Sequence, residues 1–109
     1  MAKTLPFTAQ TAGGATIDFR FPLHKDTASP MRVSQLVTTL LGALDRDVRT
    51  LGETANGDIL QALAMTLAVR AAMIPAPALT TATMAQQLVD EALGAIGTAE
   101  HGAPDGGKA

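Results

Sequence analysis

The chain has 109 residues, enough for one ordinary domain core and too few for two independent ones. Apolar residues make up 47% but aromatics only 3%, with neither Trp nor Tyr, so the core has to be built from aliphatic side chains, Met and three Phe, a composition that favours helices over sandwiches. A net charge of −2 with no run of basic residues argues against a surface for nucleic acid, and the absence of cysteine removes disulfides, thiolate catalysis and Cys-ligated metal.

The N-terminal stretch reads as a β-hairpin over residues 4–24. Leu5, Phe7 and Ala9 alternate with polar residues, and Ile17, Phe19, Phe21 and Leu23 do the same further on. The turn between them is decided by register. A two-residue Gly13-Gly14 loop would place the two apolar rows on opposite faces of the ribbon. A three-residue loop, Ala12-Gly13-Gly14 with Gly14 left-handed, pairs Phe7 with Phe19 and Leu5 with Phe21, and is the expected form. A lone ribbon is marginal in water, so its Phe-rich face is expected to lie on helices. Pro6 and Pro22 have no N–H to donate and suit strands whose outer edges are unpaired.

Ser29-Pro30 is a helix start: the Ser oxygen caps an orphan N–H, and Pro gives up a donor that had no partner. Val33, Leu36, Val37, Leu40, Leu41, Leu44, Val48 and Leu51 then follow steps mostly of three and four to Gly52, predicting a helix over 29–51 that ends in a left-handed cap. Asp45 and Asp47 sit as the first two ligands of a calcium loop would, but the third oxygen ligand and the glycine are missing and helical periodicity runs through them.

The next helix, expected over 56–74 with Asn56 as its cap and Asp58 in its first turn, is the unusual element. At 100° per residue, Ile59, Leu63, Leu67, Met73 and Ile74 share one side with Thr66 and Arg70, while Ala64, Ala68, Ala71 and Ala72 fill the other. Burying its eight large apolar side chains is worth on the order of 12 to 24 kcal/mol as an upper bound. Both faces therefore require cover. The neighbouring helices and the ribbon could supply it; a second copy of the chain, meeting the Ala64, Ala68, Ala71, Ala72 face together with Met65, is the expectation preferred here.

After the extended link PAPAL, a third amphipathic helix is predicted over 80–96, starting at Thr80 or Thr81. Residues 98–109 contain no large apolar side chain and are rich in Gly, which predicts a flexible tail following a single domain over 1–97. The fold class is α+β: an N-terminal hairpin on a three-helix unit, expected as a homodimer.

Catalytic chemistry has little to stand on. Ser29 and Ser34 are explained by the start of a helix, Gly13-Gly14 lacks the lysine of a phosphate loop, and His24 and His101 are the only imidazoles, read as solvated side chains. No metal or cofactor is expected. Arg70 is set apart, because among Ile59, Leu63, Leu67 and Ile74 its guanidinium must either snorkel to solvent and the last helical carbonyls or pair with a carboxylate, from Asp90 or Glu91 or from a ligand or partner. No apolar run is long enough to span a membrane and no signal peptide is visible at the start. The expected function is non-enzymatic: a small cytoplasmic adaptor, chaperone-like or regulatory protein that binds another protein through an apolar helical or strand-edge surface. A small-molecule binder with an apolar pocket and Arg70 as anion anchor, or an accessory subunit of a larger enzyme, is the alternative.

Overall fold

The computed structural model describes residues 3–103. In chain order these form β1 (Thr4–Gln10), β2 (Thr16–Pro22), α1 (Pro30–Leu51), α2 (Asn56–Ala72), α3 (Ala78–Gly94) and β3 (Glu100–Gly102). The architecture is α+β, with one antiparallel sheet in the order β1-β2-β3 and three helices. By internal packing the chain divides into two compact units, one of Met1–Ser34 with Leu88–Ala109 and the other of Gln35–Gln87.

In the first unit the hairpin has the register its sequence demands. Phe7 stands opposite Phe19 and Leu5 opposite Phe21. The Thr11 N–H donates to the Ala15 carbonyl at 2.8 Å and the Gly14 N–H to the Thr11 carbonyl at 3.0 Å, closing the Ala12-Gly13-Gly14 loop with Gly14 at φ 88°. Only a residue without Cβ adopts that left-handed backbone at no steric cost. Leu5, Phe7, Ala9, Ile17, Phe19 and Phe21 are half-buried on one face, and Thr4, Pro6, Thr8, Asp18 and Arg20 are exposed on the other. The Phe19 and Phe21 rings stack with centroids 5.0 Å apart. Across the polar face Thr8 Oγ1 donates to Asp18 Oδ1 at 2.6 Å.

The ladder also settles where the prolines point. Leu23 N–H donates to the Lys3 carbonyl and Thr11 N–H to that of Ala15, so the odd-numbered residues of β1 and β2 turn their peptide groups toward each other. Even-numbered Pro6 therefore has its nitrogen on the free edge of β1. Pro22 has its own on the β3 side of β2, beyond the Thr16, Asp18 reach of β3.

β3 corrects the expectation that the chain from residue 98 onward lacks structure. Gly102, His101 and Glu100 pair with Thr16, Ile17 and Asp18. Three polar residues carry no alternation to announce a strand; what recruits them is the unpaired edge of β2. The remainder of the expected tail, 104–109, lies outside the described residues. His24 is also corrected: its side chain is only 18% exposed, and its Nδ1 accepts the Asp26 N–H at 3.0 Å in a tight turn where Thr27 N–H reaches the His24 carbonyl.

α1 begins as its sequence indicates, with the Arg32 N–H on Ser29 Oγ at 3.2 Å, and ends at Gly52, whose φ is 98°. α2 differs at its start. Asn56 is its first helical residue, not its cap; that place belongs to Ala55, extended at φ −62° and ψ 137°, with no side-chain bond. The Ala55 carbonyl accepts the Asp58 and Ile59 N–H groups, which suffices to start the helix while leaving a cap contribution unused. α2 stops at Ala72, two residues short of the expected 74, because Ile74 precedes Pro75 and is driven out of helical backbone. α3 starts at Ala78 instead of Thr80 or Thr81: the Pro77 carbonyl receives the Thr80 and Thr81 N–H groups, so the link PAPAL is shorter than predicted. It ends at Gly94, not residue 96, where Ala95 and Ile96 donate to Ala92 and Leu93 in tighter turns.

Candidate functional site

The second unit, Gln35–Gln87, holds all of α2, most of α1 and the first half of α3. α2 is the helix of this unit with apolar residues on both faces. Of its residues only Ile59 and Ala71 are half-buried; all others, from Asn56 to Ala72, are exposed. Large apolar side chains are open to solvent on more than one side of it, Leu60 67%, Met65 58% and Val69 59%, with the C-cap Met73 at 62%, while Leu63 at 37% and Leu67 at 38% are the more covered ones. In water each would be a loss unless something covers it.

Ala64, Ala68, Ala72 and Met65 are exposed and Ala71 is half-buried, with Ala71 and Ile59 on different sides of the helix. The rest of the surface was legible as apolar but not as open. Val69 and Met73, two of the open large side chains, continue the steps of four, three and four that begin at Ala62 and Thr66. Thr66 suits that row: its Oγ1 donates back to the Ala62 carbonyl at 2.8 Å, which satisfies the hydroxyl inside the helix and leaves the methyl outward.

Arg70 is exposed and lies in the last turn of α2, where a cation complements the helix dipole. Its Nη1 donates to Met73 Sδ at 3.5 Å, a weak acceptor that bends the guanidinium over the Met73 side of the helix. Asp90 and Glu91, considered as its partners, belong to the other unit. Asp58 occupies the opposite end of α2, in its first turn.

α1 adds a second open row: Leu36, Leu40 and Leu51 are exposed while Val37, Leu44 and Val48 are half-buried, so part of its apolar stripe also lacks cover. In α3 the same holds for Leu79, Met84 and Leu93. Two residues, Thr81 and Ala95, are buried among those described, and Thr81 satisfies its hydroxyl on the Ala78 carbonyl at 3.1 Å. No group of three or more metal-ligating side chains occurs among the described residues, and none of the helices is long and apolar enough to cross a membrane.

Compared with known proteins, the chain matches no family model, no curated protein and no solved structure.

Proposed function

We propose that this chain is a non-enzymatic interaction protein, a cytoplasmic adaptor, chaperone-like or regulatory component, whose apolar helices are completed by another polypeptide. One observation carries the reading: α2 is apolar on nearly every side and exposed on nearly every side. A helix of this kind is stable as the centre of something larger. The cysteine-free composition fits a reducing compartment. Of the two surfaces considered, helix face and strand edge, the helix face is favoured, because Pro6 removes a donor from the free edge of β1 and an added strand would leave an acceptor unpaired there.

The test is the mass in solution together with binding of a fluorescent hydrophobic dye. The expected result is a particle heavier than the 11.2 kDa chain, or a monomer that binds the dye. A compact monomer that binds none would end this reading.

A further inference from the structure

We draw no further inference here: the strongest candidate, the exposed apolar surface of α2 with Leu60, Met65 and Val69 open to solvent, carries nothing because nothing in the structure shows what covers it.

Discussion

Gly102 stands opposite Thr16 in the β2-β3 ladder, and a Cβ added to it would lie 2.5 Å from Thr16 Oγ1. The glycine is therefore what lets a three-residue strand close on the edge of β2. Gly102→Ala is expected to destabilise this pairing by about 1 to 2 kcal/mol, because Thr16 must leave its rotamer or β3 must move away. In a Thr16→Ala background the same change should cost markedly less. A double-mutant cycle by denaturant unfolding measures the difference, and an identical cost in both backgrounds would refute the contact.

The start of α1 depends on one side chain. Ser29→Ala removes the oxygen that accepts the Arg32 N–H and is expected to cost about 1 kcal/mol, while Ser29→Asp should preserve the cap. Urea unfolding monitored by far-ultraviolet circular dichroism reads both; a silent alanine variant would show the cap to be dispensable.

α2 offers the converse. Ala55 holds the cap position in extended backbone with nothing to give the free N–H groups. Ala55→Ser or Ala55→Asp should stabilise the helix by about 0.5 to 1 kcal/mol, seen as a higher urea midpoint with unchanged slope. A lower midpoint would mean that Ala55 is held by something a polar side chain disturbs.

At the other helix end, Gly52 has φ 98° with open space where a side chain would go. Substitution there is a question of backbone conformation alone. Gly52→Val should cost about 1 to 2 kcal/mol and Gly52→Asn much less, since Asn tolerates the left-handed region. Equal effects in thermal melts would show that the helix ends differently.

Leu60 is 67% exposed on the side of α2 away from the row Ala62, Thr66, Val69, Met73. Leu60→Gln is expected to change unfolding free energy by less than about 0.5 kcal/mol and to reduce hydrophobic-dye binding. Collapse of the fold in this variant would mean that Leu60 is covered in solution.

The hairpin and α1 were legible because their signals are local: alternation plus one permissible turn length fixes Phe7 opposite Phe19, and Ser29, Pro30 and Gly52 bracket an amphipathic run. The first residues of α2 and α3 were not. Asn56 is a good cap by type, but the preceding Ala55 already has the extended backbone and supplies the first carbonyl, and Pro77 does the same for α3 ahead of Thr80. β3 had no local signal at all, since its pairing depends on the edge that β2 leaves open. Of the candidate site, the apolar character of both faces of α2 was readable from Ala64, Ala68, Leu63 and Leu67, whereas its exposure was not, because whether a neighbour folds back over a helix is a tertiary matter that helical periodicity does not encode.

Pro6 and the shortness of β3 bear on how readily this sheet could be extended by further strands. Added strands propagate: each new edge resembles the last, and growth has no natural end. With Pro6 interrupting the donors of one border and β3 only three residues long at the other, that route is poorly templated. A helix, by contrast, is a rod of limited length whose sides saturate once filled, so bare aliphatic surface carried on helices does not template open-ended growth as a free strand edge does.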